Sequence, residues 1–246
     1  MSIWKKLKHK IFVGSPCRGV YSSLEEARKA LPATAKVGYD HAESANLYPY
    51  LFEYTKISDF AALFYFTQLV TNTTRLFDFG GNVGVLYYAY QRRWPWPKGA
   101  TWMVCDVKAV IEAGREVAKT KPSEGLQFTT EFADCAGADI LLTSGTLQYV
   151  DEPLAKLLGA LGDAAPRHLL LNRVAMWEKQ PFVTLQNLGA VVCPYQVFNE
   201  NELISSLQAL GYRLVDSWDC PESGLSVRFR PTMRLKKYRG AYLVRE

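Results

Sequence analysis

The segment Asp78-Phe-Gly-Gly-Asn-Val-Gly84 decides the fold that we predict for this chain. It overlaps the apolar stretch Arg75–Phe79, whose pattern predicts a strand, and it precedes Val85–Arg92, whose pattern predicts a helix. Glycines at a strand-to-helix turn let the chain reverse sharply and let a ligand lie against bare backbone. The segment therefore predicts a site for a nucleotide-type ligand at the carboxyl end of a strand.

The pattern after this turn alternates short apolar strands with helices, which predicts an α/β fold with a mostly parallel, twisted sheet and helices on both faces. We assign residues 75–246 to this Rossmann-like domain. Residues 1–74 show no strand period and predict a helical extension that serves as a lid and acceptor region. In this extension, Gly14–Gly19 predicts a turn, Leu24–Leu31 predicts a helix, and Ser58–Val70 predicts a helix that is apolar nearly all round and therefore buried.

Two ligands use glycine turns of this kind. A dinucleotide places its pyrophosphate on the helix N-terminus, requires the spacing G-x-G-x-x-G and tolerates no carboxylate beside it. This chain lacks that spacing and carries Asp78 two residues before the first glycine. S-adenosylmethionine has no phosphate, so Asp78 can hold its aminoacyl end. The turn favours the methyl donor, with Gly80, Gly81, Asn82 and Gly84 beside it.

Two further acids extend this interpretation. Asp106 ends the next predicted strand, Thr101–Asp106, where a carboxylate can accept hydrogen bonds from both ribose hydroxyls. Asp134 lies in the loop after the following strand, and we expect it near the adenine amino group, although a plain loop acid is an equal alternative. The loop Thr143–Asp151 follows the fourth strand and should face the methyl group, with Gln148 and Tyr149 as its polar candidates for acceptor binding.

These residues carry a resemblance. Asp78–Gly84, Asp106 and Ser144–Tyr149 together resemble class I S-adenosylmethionine-dependent methyltransferases. More narrowly, the chain is similar to a bacterial family of methyltransferase-like proteins whose genes are often linked with surface-polysaccharide synthesis. The further matching stretches are Gly19–Ala27, Val37–Asp40, Leu171–Arg173, Phe182–Asn187, Leu210–Tyr212 and Trp218. One departure is Asn82, which stands where the class often has a glycine and narrows the room beside the ligand.

The resemblance implies roles for several more residues. It places Ser144 and Gly145 at the cofactor, and it draws attention to Arg173 and Gln186 on the acceptor side. Arg173 could hold an anionic or polyhydroxylated acceptor with its five donors, or it could form a structural salt bridge. We expect these residues to line one pocket with Tyr149, below the stretch Tyr39–His41. A general base is not evident, and the catalytic candidates are Tyr149, His41 and Arg173.

Composition limits the other possibilities. The 246 residues carry a net charge of +5, much of it in the first ten residues and in Arg228–Arg239. This distribution predicts no nucleic-acid binding and at most peripheral contact of the basic N-terminus with a membrane. The five cysteines are scattered, which predicts no metal site and a reduced, cytoplasmic protein.

The sequence thus predicts a methyltransferase that uses S-adenosylmethionine on a small or glycan-linked acceptor, at oxygen or nitrogen. Two alternatives stay open. One is a nicotinamide-dependent oxidoreductase, which the absence of G-x-G-x-x-G and of a Tyr-x-x-x-Lys pair disfavours. The other is a non-catalytic protein that keeps the fold, because fold does not imply function.

Overall fold

A computed structural model describes residues 17–33, 35–40, 52–189 and 191–246 of the chain. Its strands are β1 (Cys17–Tyr21), β2 (Arg75–Phe79), β3 (Thr101–Cys105), β4 (Leu126–Thr129), β5 (Ile140–Ser144), β6 (His168–Val174), β7 (Met176–Trp177), β8 (Phe182–Asn187), β9 (Val192–Asn199), β10 (Tyr212–Cys220), β11 (Leu225–Val227), β12 (Arg230–Leu235) and β13 (Tyr238–Arg245). Its α-helices are α1 (Leu24–Lys29), α2 (Asp59–Leu69), α3 (Val85–Gln91), α4 (Lys108–Thr120), α5 (Leu154–Leu161) and α6 (Glu200–Gln208).

The central sheet has the strand order β10-β13-β6-β5-β2-β3-β4 within the described residues. The strands from β6 to β4 are parallel, and β13 and β10 complete one edge in antiparallel pairing. The chain runs outward from β2 through β3 to β4 and then returns to the other side of β2 as β5. A strand order that reverses between two neighbours opens a crevice at their carboxyl ends, which is where open α/β sheets bind ligands.

Helices cover both faces of this sheet, because successive apolar side chains along each strand point to opposite faces. Leu76, Ile140 and Leu170 pack on one face with α2, α3 and α4, whereas their neighbours in the strands pack on the other face with α5 and α6. Strands buried on both sides read as continuous apolar runs, as β5 and β6 do. The predicted Rossmann-like α/β fold is confirmed.

A second sheet stands beside the central one, with the order β12-β11-β1-β8-β9-β7 in the described part of the chain. It draws β1 from the N-terminal region, β7 to β9 from the segment after β6, and β11 and β12 from the segment between β10 and β13. The prediction of a turn at Gly14–Gly19 is wrong for its described residues, because Cys17–Gly19 belong to β1, which pairs with β8 and β11. Because β1 pairs with strands that are distant in the sequence, no local alternation of apolar and polar residues predicts it.

Helix α2 also differs from its prediction. Only one side of it is buried, where Ala62 and Phe66 face the core and the Phe66 ring stacks on Trp102 with ring centroids 5.6 Å apart. Phe60 and Phe64 are 52% and 59% exposed. The prediction of a helix buried all round is therefore wrong, since an apolar sequence does not by itself say how many neighbours a helix has.

Candidate functional site

A cavity of about 950 Å³ lies at the carboxyl ends of β2, β3, β5 and β6, between the central sheet and the second sheet. One end of the cavity is formed by the glycine turn after β2, by the loop after β3 and by Ser144 and Gly145 at the end of β5. The other end is formed by the loops after β5 and β6, by β8 and β9, and by the segment after β10. We call these ends the donor side and the acceptor side.

The glycine turn on the donor side is held in a backbone conformation that favours glycine. Gly80 has φ of 76°, and its backbone N–H donates to Cys105 O at 2.7 Å, so the turn is tied to β3. A Cβ atom on Gly80 would lie 2.1 Å from Thr146 Oγ1, and a Cβ on Gly81 would lie 2.4 Å from Asp78 Oδ2. Glycine is required at position 80 by the positive φ and by Thr146, and at position 81 by the Asp78 carboxylate.

Asp78 lies behind this turn rather than in the cavity. Its carboxylate is buried beneath Gly81, and Trp102 Nε1 donates to its Oδ2 atom at 3.0 Å. Its Oδ1 atom has no hydrogen-bond partner among the described residues. Burial raises the pKa of Asp78 to about 7, because the charged form is the costly one inside the protein. Asp78 is not among the residues that line the cavity, and its contact with the aminoacyl end of a ligand stays a prediction.

Asp106 lies in the cavity, half-buried, just after β3. Its two oxygen atoms accept hydrogen bonds from the backbone N–H groups of Asn82 at 2.9 Å and of Val107 at 2.8 Å. Burial raises its pKa to about 6, although both backbone donors act in the opposite direction. Each oxygen keeps a lone pair, so Asp106 can accept further hydrogen bonds from paired hydroxyls in the cavity.

The remaining donor-side predictions divide between lining and non-lining residues. Ser144 and Gly145 line the cavity together with Asn82, and the Ser144 Oγ and Asn82 Oδ1 atoms have no hydrogen-bond partner in the described part of the chain. Gly84, with φ of 87°, is the N-cap of α3 and lies outside the lining. Asp134 is also outside it, because its carboxylate accepts a hydrogen bond from the Thr129 hydroxyl.

On the acceptor side, Gln148, Tyr149, Arg173 and Gln186 all line the cavity, and Tyr39 lines it as well. The Tyr149 hydroxyl donates to Gln186 Oε1 at 2.6 Å, and the Tyr149 ring lies edge-on to the Tyr39 ring, with centroids 4.9 Å apart. The structure thus brings these predicted residues together. His41 lies outside the described residues.

Gln148 links the loop after β5 to β6 and β9 by hydrogen bonds. Its Nε2 atom donates to the Arg173 backbone carbonyl at 3.0 Å and to the Tyr195 hydroxyl at 3.1 Å. Its Oε1 atom is buried with no hydrogen-bond partner among the described residues. The Tyr195 hydroxyl in turn donates to the Tyr238 hydroxyl at 2.7 Å.

Arg173 is held by a structural carboxylate. It follows Asn172 near the end of β6 with φ of 53°, and its guanidinium pairs with Asp59, the first residue of α2. The Asp59 carboxylate also accepts hydrogen bonds from Asn172 Nδ2 at 3.1 Å and from the Tyr90 hydroxyl at 3.2 Å. This buried cluster fixes α2 over the end of the sheet and gives the Arg173 guanidinium a counter-charge, as the structural salt-bridge alternative for this residue predicts.

Sequence reasoning missed two charged residues of the acceptor side. Lys56 precedes α2 and Glu222 follows β10, and both line the cavity. They are far apart in the chain and belong to no motif. The only sequence signal for Glu222 is its place after a strand of the central sheet, which is not enough to select it.

The described residues lack two further features. No group of histidines, cysteines and acids there is arranged to hold a metal ion. No helix there combines the length and the apolar character needed to cross a membrane.

The sequence of this chain matches no protein-family model, and no characterised protein matches it in sequence. Solved structures do match. Magnesium protoporphyrin IX methyltransferase from Synechocystis PCC 6803, with bound S-adenosylhomocysteine, aligns at a TM-score of 0.53 and 13% identity, covering 85% of this chain and 96% of its own. The glycopeptide N-methyltransferase MtfA, with bound S-adenosylhomocysteine, aligns at 0.55 and 12% identity, covering 84% and 99%.

A third match is 1,6-didemethyltoxoflavin-N1-methyltransferase from Burkholderia thailandensis, at a TM-score of 0.53 and 16% identity, covering 87% of this chain and 93% of its own. The chain has the class I methyltransferase fold. At these identities the likeness establishes the fold, and the activity has to be argued from the residues in the cavity.

Proposed function

We propose that this protein is a methyltransferase that binds S-adenosylmethionine on the donor side of the cavity. The observation that carries the proposal is the Asp106 carboxylate, which lies in the cavity with lone pairs free while its backbone donors fix its orientation. In the class I methyltransferase fold, this position at the end of the second parallel strand is suited to the paired hydroxyls of a ribose.

The other donor-side residues fit the same ligand. Gly80 and Gly81 line the cavity with bare backbone, and Asn82 Oδ1 and Ser144 Oγ offer buried polar atoms that lack partners among the described residues. The sulfonium of the bound cofactor would supply an electrophilic methyl group. The chain's own residues hold the ligand by its ribose and against the glycine turn, and they close off water with the second sheet.

We propose that the acceptor binds at the other end of the cavity, among Gln148, Tyr149, Gln186 and the Tyr39 ring. In-line methyl transfer to an oxygen or nitrogen atom depends largely on positioning, so a wall of fixed polar groups can supply much of the rate. A small or glycan-linked acceptor, a link to surface polysaccharide and a cytoplasmic location remain predictions of the sequence resemblance. The boundary between an N-terminal extension and the methyltransferase domain at residue 75 also remains a prediction. Tyr39 and Asp40 line the cavity, which supports a lid role for the N-terminal part.

The nicotinamide alternative makes a different prediction for ligand binding. Titration calorimetry of the full chain with S-adenosylhomocysteine should give a dissociation constant in the micromolar range, about −7 to −8 kcal/mol. The same titration with NADH should give no heat. Binding of NADH without binding of S-adenosylhomocysteine would overturn the proposal, whereas binding without any methyl transfer would favour the non-catalytic alternative.

A further inference from the structure

Lys56 offers an amine to the acceptor side that no other described residue uses. The residue is half-buried in the cavity wall, and its Nζ atom makes no hydrogen bond or ion pair within the described part of the chain. Its backbone N–H donates to Asp59 Oδ2 at 2.9 Å, which fixes the point from which the side chain starts. An anchored lysine with a free amine in a cavity is available to a bound ligand.

The groups around Lys56 are of both signs. The positive charge of Arg173 lowers the pKa of Lys56, whereas the acidic groups Asp59, Glu222 and the Cys220 thiol raise it. Burial and the Arg173 charge together lower the pKa of Lys56 to about 8, against the effect of the three acidic groups. Near that pH half of the amines are neutral and carry a lone pair, which is the condition for efficient general-base catalysis.

Glu222 lies close enough to this amine for its charge to raise the pKa of Lys56, although the two groups form no ion pair. Its Oε1 atom accepts hydrogen bonds from the Ser58 hydroxyl and, at 3.4 Å, from the Ser58 backbone N–H. Its Oε2 atom is buried and has no hydrogen-bond partner among the described residues. A carboxylate with one oxygen anchored and one oxygen left over is placed to stabilise a cation that forms next to it.

We propose that Lys56 is the general base of this methyltransferase for a hydroxyl acceptor, with Glu222 as its positioning residue. This rests on the proposed function. The acceptor hydroxyl donates to Lys56 Nζ and gives up its proton to it as the new bond between the acceptor oxygen and the methyl carbon forms. The sulfur–methyl bond breaks with its electron pair left on sulfur, so the products are a methyl ether, a neutral thioether and a lysine ammonium that faces Glu222.

The test is acetylation of Lys56 by acetic anhydride in the full chain saturated with S-adenosylhomocysteine, which lacks the sulfonium charge. Mass spectrometry follows the labelling rate from neutral to alkaline pH, with the exposed Lys98 as an internal reference for the reagent. We expect the Lys56 rate to become half-maximal near pH 8. Glu222→Gln should shift this midpoint to lower pH, because it removes a charge that stabilises the ammonium, and it should leave affinity for S-adenosylhomocysteine unchanged.

A pair of small probes tests acceptor binding at the same amine. Phenol, which donates a hydrogen bond, should slow Lys56 labelling several-fold, whereas anisole, its methyl ether, should not. The proposal is overturned if Lys56 is unreactive, if its midpoint lies at the ordinary lysine value of 10.5, if Glu222→Gln leaves that midpoint unchanged, or if phenol and anisole act alike. Calorimetry on the same samples separates the two ideas, since failure to bind S-adenosylhomocysteine refutes the methyltransferase itself.

Discussion

The donor side and the acceptor side of the cavity are built in different ways. The donor side comes mainly from one continuous stretch, in which the turn after β2 and the acid after β3 are joined by backbone hydrogen bonds. The acceptor side is assembled from the region before α2, the loops after β5 and β6, the strands of the second sheet and the segment after β10. The first therefore depends on local geometry, and the second depends on long-range contacts such as the Arg173–Asp59 pair.

The largest expected effect comes from breaking that pair. Asp59→Asn leaves the buried Arg173 guanidinium without its counter-charge, which costs about 3–5 kcal/mol of the free energy of unfolding. Urea denaturation measures this loss. Glu116→Gln is the matched control, because it removes a carboxylate from an exposed pair with Lys119 that contributes about 0–1 kcal/mol. Equal losses for the two variants would show that the cluster at α2 does not hold the acceptor side together.

The sequence could predict the donor side because its signals are local. The glycine turn can be recognised from its composition, and Asp106 can be recognised from its place at the end of a predicted strand. The acceptor side carries no such signal, since the partners that select Asp59, Lys56 and Glu222 are supplied by other segments. Strand β1 escaped prediction for the same reason, because its hydrogen bonds are made to β8 and β11.

Local reasoning also has a limit on the donor side. It placed both acids at the ligand, Asp78 at the aminoacyl end and Asp106 at the ribose, since both lie near the ends of predicted strands. Only the structure shows that Asp78 is buried against Gly81 and does not line the cavity, whereas Asp106 does. Asp134 shows the same limit, because its carboxylate accepts a hydrogen bond from the Thr129 hydroxyl and does not line the cavity.

Asp78 should make the ligand-free protein less stable as pH rises. Its pKa is about 7 in the native state against an ordinary value of 3.8, so between these values the native state binds more protons than the unfolded state. The free energy of unfolding should therefore fall with rising pH through this window, by on the order of 4 kcal/mol in total. Urea denaturation across this range should show a flatter profile for Asp78→Asn, with a smaller slope remaining from Asp106. If Asp78→Asn and the unsubstituted protein gave identical profiles, the pKa of Asp78 would not be raised in the native state.

Gly80→Val tests the donor side directly. The substitution drives a branched side chain into Thr146 at a position with positive φ, which distorts the turn and should lower affinity for S-adenosylhomocysteine about 100-fold, or ~3 kcal/mol. Calorimetry measures the affinity, and circular dichroism shows whether the fold persists. Gly159→Ala is the control, because a Cβ there meets only Leu210 at an ordinary 3.7 Å. Unchanged affinity in Gly80→Val would place the ligand elsewhere.

Asp106→Asn should have a smaller effect on the same affinity. It removes a charged acceptor but keeps the shape, so we expect a loss of about 1–3 kcal/mol, the usual range for a charged hydrogen-bond partner. Asp78→Asn should change this affinity little, because Asp78 lies behind Gly81. Calorimetry at one pH compares the two variants. If Asp78→Asn weakened binding as much as Asp106→Asn, the ligand would be contacting the buried acid and not the one in the cavity.

The smallest effect is expected from Tyr149→Phe on the acceptor side. The change removes the hydroxyl that donates to Gln186 Oε1 at 2.6 Å and keeps the edge-on ring contacts with Tyr39 and Tyr195. Loss of one neutral hydrogen bond costs about 0.5–1.5 kcal/mol of unfolding free energy, and water in the cavity can replace part of it, so the lower end of that range is expected. Affinity for S-adenosylhomocysteine should stay within about twofold, since nothing on the donor side rests on this hydroxyl. A double-mutant cycle with Gln186→Ala measures the pair alone. A tenfold loss of S-adenosylhomocysteine affinity in Tyr149→Phe would show that the two sides of the cavity are coupled and that the ligand reaches the tyrosine itself.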